Sequence, residues 1–254
     1  MSAKERRHQG ILEAMRGAGS ATVSELGQRL GVAEMTIRRD LELLEADGVL
    51  KRFHGGARLV FGSSYEPPFL LREKTNTEQK HAIGRHIATM INDGDTIILD
   101  GGSTGLAVAE ALEDHQLTVC ALSLRVAWTL TKFPSINLLM PPGSVRQGEL
   151  SLTGTDTVDY LRELHFDTYI MTASAVTVAE GFMEWNQADA AVKKAASAAA
   201  STTIAGIDSS KFDRTAFVKI CPITTPSAIV TDSGVPASFQ TQAEGLIKDL
   251  VLTD

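Results

Sequence analysis

The stretch TVSELGQRLGVAEMTIRRDLELLEADGVLKRFHGG, residues 22–56, decides how the first part of the chain folds. Thr22 stands three residues before Glu25, the spacing of a capping box, and Val23, Leu26 and Leu30 then share one helical face. Gly31 ends that helix and makes the turn. A further helix is predicted over Glu34 to Ala46, with Gly48 as its stop. At 100° per residue Ile37, Leu41 and Leu44 fall on one face about 60° wide, Met35 and Arg39 lie almost opposite, and Thr36 and Arg38 flank them. Upstream, residues 4–16 read as a helix with Ile11, Leu12 and Met15 on one stripe, closed by the glycines at 17 and 19. Downstream, VLKRF and ARLV flank His54, Gly55 and Gly56 as two short strands around a turn. Three helices and a wing predict a winged helix-turn-helix, whose third helix meets base edges and phosphates in the major groove. Arg39 suits bidentate base readout, and Arg38 and Thr36 suit phosphates. Glu42 stands at i+4 from Arg38, the spacing of a surface ion pair worth a few tenths of a kcal/mol.

Charge supports that division. The net charge is -7, yet residues 1–58 hold ten Lys or Arg against eight Asp or Glu, and the remainder fourteen against twenty-three. A mildly basic head on an acidic body assigns any polyanion to the head. With 254 residues, 43% of them hydrophobic, the chain can bury a full core. Cys120 and Cys221 form no CxxC pair, so no disulfide framework or thiolate metal site is expected. The first ten residues lack a following apolar stretch, and nothing approaches the run of about 20 apolar residues that spans a membrane. A cytoplasmic protein with no membrane contact is expected.

Residues 61–76, with Pro67 and Pro68, read as an interdomain linker. The expected domains are 1–58, the DNA-binding head; 59–76, the linker; and 77–254, a larger body. In the body an amphipathic helix over 78–90 precedes TIILD, LAVAEALED, LTVCAL, VAWTL, INLLM and DTYIM, then a helix over 188–201, TTIAGID and SAIVTD. Short apolar strands alternating with helices predict an open α/β domain with a mostly parallel sheet covered on both faces. Within it, Asp100, Gly101, Gly102, Ser103 and Thr104 form a strand-to-helix loop. The N–H groups of Gly102, Ser103 and Thr104, the two hydroxyls and the positive end of the following helix make an anion cradle fit for a phosphate. It is neither GxGxxG nor GK[ST], so no dinucleotide or ATP is inferred. Asp208 ends TTIAGID, where ligands of open α/β sheets collect.

The stretches TVSELGQRLGV, TIRRDLELLEADGVLKRFHGGA and DSSKF closely resemble the DeoR family of bacterial transcriptional regulators, over essentially the whole chain. The resemblance implies a winged-helix repressor joined to a sugar-phosphate sensor domain related in fold to ribose phosphate isomerase A and the CoA transferases, without a metal or cofactor. It also implies a homo-oligomer, dimer or tetramer, bound to double-stranded operator DNA and released or retained by a phosphorylated sugar or polyol. Arg52, His54, Gly55 and Gly56 match the family's wing; there the glycines let backbone approach phosphates and Arg52 can enter the minor groove. Lys193, Asp208 and Lys211 match positions expected around the effector pocket, and Arg146 corresponds to the arginine of the family's GGxxR. Several positions depart from the pattern. Ala33 replaces a capping Ser, which typically costs about 0.5 to 2 kcal/mol. Ala121 and Leu122 replace Thr-Asn, Pro142 and Gly143 the GG pair, Thr172 and Ala175 a GxxG, and Asp189 a Glu. These changes predict a smaller, drier or differently shaped pocket, which Trp185 and Glu184 could line.

The alternative reading is a sugar-phosphate isomerase-like enzyme carrying a DNA-binding head. Asp100, Asp189, Lys193 and Asp208 would supply its proton-transfer groups if they converge on a bound sugar. No HExxH, GxSxG or Ser-His-Asp ordering supports another chemistry. A third reading uses the winged helix as a protein-docking surface.

Overall fold

A computed structural model of the chain describes residues 3–15, 19–46, 49–59 and 65–253. The stop at Gly48, the end of the first helix at residues 16–17 and residues 61–64 of the linker lie outside the described residues. The chain forms two compact units, residues 1–71 and 72–254.

The first unit contains α1 (Ala3–Met15), β1 (Ser20–Thr22), α2 (Val23–Leu30), α3 (Glu34–Ala46), β2 (Leu50–Phe53) and β3 (Gly56–Leu59). The capping box forms at α2: the Glu25 N–H donates to Thr22 Oγ1 at 3.2 Å, and the Thr22 N–H donates to Glu25 Oε2 at 2.7 Å. Gly31 closes the helix in the left-handed region, φ 66°. The apolar stripes read from the sequence meet as intended. Ile11, Met15, Val23, Leu26, Ile37, Leu41 and Leu44 are buried together with Val49, Leu50 and Ala57. The strand β1 was not expected, because Ser-Ala-Thr carries no alternation. It forms by pairing Ser20 with Arg58 and Thr22 with Gly56, giving the order β1-β3-β2.

The short helix α4 (Phe69–Glu73) lies in the stretch read as the interdomain linker, where no helical periodicity is sustained. Then follow α5 (Thr77–Thr89), β4 (Thr96–Leu99), α6 (Gly102–Glu110), β5 (Leu117–Ala121), α7 (Leu124–Leu130), β6 (Ile136–Leu139), β7 (Ser144–Val145), β8 (Leu152–Thr153), α8 (Thr155–Arg162) and β9 (Phe166–Met171). The chain continues through β10 (Ala175–Thr177), β11 (Gly181–Glu184), α9 (Gln187–Ala198), β12 (Ala200–Gly206), β13 (Val218–Cys221), β14 (Ala228–Asp232), α10 (Ala237–Ala243) and β15 (Leu250–Thr253). VAWTL belongs to α7.

Seven strands form one parallel sheet in the order β15-β14-β12-β9-β4-β5-β6. Successive residues of the central strands feed opposite cores. Ile97, Leu99, Ile170 and Ile204 pack on one side, and Ile98, Tyr169, Met171 and Ala205 on the other. A sheet buried on both faces explains why these strands read as continuous apolar runs. The chain moves from β4 to β5 and β6 in one direction, then returns to place β9 on the other side of β4. That reversal puts the topological switch point between the carboxyl ends of β4 and β9, where open α/β sheets hold ligands. Two further pieces lie outside the main sheet: the hairpin β7-β8 and the antiparallel set β10-β11-β13.

Candidate functional site

On α3 the phase read from the sequence holds. Met35 is 62% exposed, Arg38 and Arg39 are exposed, Thr36 is half-buried, and Ile37, Leu41 and Leu44 are buried. Arg39 makes no ion pair among the described residues. Arg38 pairs with Glu34 at 3.6 Å, not with Glu42. Glu42 instead accepts from Arg52 Nη1 at 2.8 Å, while Glu45 accepts from Arg52 Nε at 2.7 Å. Arg52 is therefore braced on α3, in exposed pairs that water and salt weaken. Ala33 gives α3 no side-chain cap; its carbonyl accepts from the N–H groups of Thr36 and Ile37.

In the wing, His54 and Gly55 are exposed. Gly55 turns at φ 87° with open space where a side chain would stand, whereas a Cβ on Gly56 would come within 2.5 Å of the Ala21 carbonyl oxygen. The missing side chain at Gly56 is used inside the three-stranded sheet. Thr22, besides capping α2, is exposed at the edge of β1.

Asp40 was not singled out, although it lies between Ile37 and Leu44 on the apolar stripe of α3. It is buried and accepts from Arg7 Nε and Nη2, with His8 Nε2 at 3.0 Å from its Oδ1. Burial alone would raise its pKa, but Arg7 and His8 outweigh that and hold the carboxyl below its ordinary value. An acid on an apolar helix face was the signal available in the sequence.

In the second unit the predicted groups gather at the switch point. Asp100 follows β4 and is buried. Its Oδ1 accepts the Gly101 N–H at 2.8 Å, and its Oδ2 accepts from the Thr172 N–H and Thr172 Oγ1, both at 3.0 Å, and from Tyr169 Oη at 3.2 Å. Lys193, nearly two turns into α9, donates to the same Oδ2 at 2.6 Å, to the Thr172 carbonyl at 2.9 Å and to Glu184 Oε2 at 3.0 Å. All three ammonium protons have partners, so Lys193 is a buried tie between two carboxylates. Burial opposes its charge, yet Asp100 and Glu184 prevail and hold its pKa above the ordinary lysine value. Glu184 is held low in turn: burial resists, but Lys193, the Ser174 hydroxyl and the Trp185 N–H favour the carboxylate.

Around this tie the loop takes its shape. Gly101 caps α6 without a side-chain hydrogen bond, and Gly102 begins the helix at φ 78°. Ser103 is half-buried and Thr104 buried. A Cβ on Gly102 would stand 3.6 Å from Thr172 Oγ1, 3.8 Å from Arg72 Nη1 and 3.9 Å from Glu149 Oε1. Arg72 and Glu149 form an ion pair there. The Arg72 guanidinium and the Lys211 ammonium lie 5.4 and 5.0 Å from the centroid of the Trp185 ring. Asp208 accepts from Asn76 Nδ2 at 2.7 Å and from the Ser210 N–H at 3.1 Å. Burial opposes its charge, but Lys211 and Lys80 hold its pKa low. Burial also lowers Lys211, reinforced by Arg72 and Arg214 and opposed by Asp208.

Arg146 and Asp189 stand together in a neighbouring pair: Arg146 Nη2 meets Asp189 Oδ2 at 2.7 Å, and Ser151 Oγ donates to Asp189 Oδ1 at 2.7 Å. Asp189 is raised by burial despite that arginine. Lys80, buried, donates to the Arg72 and Thr75 carbonyls, the latter at 2.5 Å. Burial brings it down to about 8, Asp208 opposing and Lys211 and Arg72 adding. Arg72, Glu149, Asn76 and Lys80 were not read from the sequence, since Arg72 and Glu149 meet across 77 positions without a local motif. Among the departures, Ala121 and Leu122 are core residues, the Pro142 carbonyl accepts from Thr157 Oγ1, and Thr172 supplies the hydroxyl over Asp100.

Residues 7–61 match the DeoR-like helix-turn-helix domain and residues 75–233 the DeoR C terminal sensor domain. The glycerol-3-phosphate regulon repressor of Escherichia coli (strain K12) is 32% identical over 91% of this chain and 92% of its own length. An HTH-type transcriptional regulator of Bacillus subtilis (strain 168) is 34% identical over 95% and 94%. Among solved structures, ribose 5-phosphate isomerase A from Methanocaldococcus jannaschii aligns over 54% of this chain and 55% of its own, at 16% identity and TM-score 0.41. No helix among the described residues is long and apolar enough to cross a membrane.

Proposed function

The chain belongs to the DeoR family of bacterial transcriptional regulators, and on that premise we propose that it is a cytoplasmic repressor of a carbohydrate-utilisation operon whose operator binding is modulated by a phosphorylated sugar or polyol. The observation that carries this reading is the solvent face of α3, where Arg39 is exposed, without an ion pair among the described residues, beside the exposed Met35 and Arg38. Arg39 reads base edges; Arg38 and Thr36 hold phosphates. The wing follows with His54 and Gly55, and Arg52 exchanges its exposed pairs with Glu42 and Glu45 for DNA. As a dimer or tetramer the chain sets paired recognition helices on repeated half-sites.

In the second unit the effector's phosphate lies on the N–H groups of Gly102, Ser103 and Thr104, with Arg72 and Lys211 as its cations and Asp208 at the sugar hydroxyls. Lys193 and Asp100 hold the loop in shape beneath it. Effector binding shifts DNA affinity by a coupling free energy of about 1 to 3 kcal/mol. The isomerase alternative is disfavoured by the engagement of two of its three acids. Asp100 accepts five hydrogen bonds and Asp189 is tied to Arg146 and Ser151, which leaves neither an open proton acceptor for a bound sugar.

Retention of the chain's own upstream DNA by the purified protein tests this, against a panel of sugar phosphates and the matching free sugars. At least one phosphate ester should change retention while its free sugar does not. If no compound changed it, the sensor reading would be wrong.

A further inference from the structure

The carboxylate of Glu149, in the turn between β7 and β8, is buried beside the anion cradle. The turn between β7 and β8 closes through the Arg146 N–H to the Ser151 carbonyl and the Leu150 N–H to the Arg146 carbonyl, at 2.9 and 2.8 Å. Gly148 and Leu150 both sit in the left-handed region, at φ 81° and 62°. For a leucine that conformation is strained. The turn so formed aims Glu149 at the N-terminus of α6, where its Oε1 and the Arg72 guanidinium both lie within 4 Å of where a Cβ on Gly102 would be. Burying a carboxylate is unfavourable unless it meets a cation, and Glu149 meets Arg72.

We propose that Glu149 is an internal stand-in for the effector's anionic group. This rests on the reading of the cradle as a phosphate site and adds a competition to it. A phosphate monoester dianion displaces the Glu149 carboxylate, takes over Arg72, and meets the N–H groups of α6 with more acceptor oxygens and more charge than the carboxylate offers. A neutral polyol has no charge with which to make that exchange. Glu149 therefore sets both a threshold concentration for the effector and the requirement that it be phosphorylated. Release of Glu149 also frees the strained turn at Leu150. Arg72, the residue that changes partner, lies in α4 at the boundary of the two units, so the exchange acts on the segment that joins them.

The test uses the full chain carrying Trp128→Phe, which leaves Trp185, beside the Arg72 and Lys211 cations, as the single tryptophan. Inorganic phosphate is titrated at constant ionic strength into this parent, into Glu149→Gln and into Glu149→Asp. Glu149→Gln should bind phosphate at least tenfold more tightly than the parent. Glu149→Asp keeps the charge but withdraws it from Arg72 by one methylene, and should also bind more tightly, by severalfold. Should one variant not fold, the other decides. If the parent binds phosphate and Glu149→Asp binds it no better, the residue acts only through net charge and the proposal is overturned. Equal or weaker binding by Glu149→Gln overturns it as well. If neither the parent nor the variants bind phosphate, and the panel of esters leaves DNA retention unchanged, the phosphate reading of the cradle fails and takes the proposal with it.

Discussion

On α3 the guanidinium of Arg39 is exposed and has no ionic partner among the described residues, whereas at the switch point of the sheet the Lys193 ammonium is enclosed by Asp100, Glu184 and the Thr172 carbonyl. Both are cations on amphipathic helices, each next to a second cation in sequence. Their surroundings give them opposite work. A charge in water adds little to stability and stays available to a polyanion. A charge taken out of water becomes part of the framework, because its removal strands the carboxylates that surround it. The head has a buried cluster of its own, Asp40 with Arg7 and His8, and it lies on the face of α3 turned away from the exposed arginines.

The contrast can be broken most directly at Lys193. Lys193→Met should cost about 3 to 5 kcal/mol of unfolding free energy, since Asp100 and Glu184 would be left buried without a cation. Denaturant unfolding measures this, and a loss below about 1 kcal/mol would mean that the network is not structural. The other side is sharpened at the arginines. Arg39→Ala should leave stability within about 0.5 kcal/mol of the parent while reducing discrimination between operator variants by about 1 to 3 kcal/mol at one base pair. Arg38→Ala should weaken binding evenly across sequences and lower the salt slope by about one. Competition binding at several salt concentrations separates the two, and equal loss of discrimination would end the division of labour.

Lys80 lies between these extremes, buried but held mainly by carbonyl groups. Its pKa falls from 10.5 to about 8 on folding, so between those values the unfolded chain binds the extra proton and stability rises with pH. Relative to Lys80→Met, the parent should gain about 1 kcal/mol between pH 7 and pH 9. A flat difference would show that burial does not disturb this lysine.

Periodicity made most of this legible. The stripes of α2 and α3, the capping box and the apolar runs of β4, β5, β9 and β12 each depend on neighbours within a few positions, and all of them formed. The glycine-serine-threonine loop was legible because its chemistry is local to a strand end. What stayed hidden depends on distant pairing. The strand β1 exists only because β3 offers an edge 36 residues later, and Arg72 meets Glu149 through tertiary placement of a hairpin with no pattern of its own. The role expected of Lys193 changed for the same reason, since its helical position was plain and its two carboxylates were not. Asp40 is the exception, for an acid inside an apolar stripe is itself a local signal of a buried, partnered carboxylate.

The strand order has a consequence for how the chain leaves the ribosome. Every strand of the head finds its partner within about 40 residues, so that unit can close early. The strand β4 can pair with β5 about 20 residues later, but its other edge waits for β9, whose Thr168 meets Ile97. At synthesis rates of about 5 to 20 residues per second, Ile97, Ile98 and Leu99 spend roughly 4 to 14 seconds as the open edge of an unfinished sheet. During that interval the risk to this protein is strand addition by a neighbouring nascent chain.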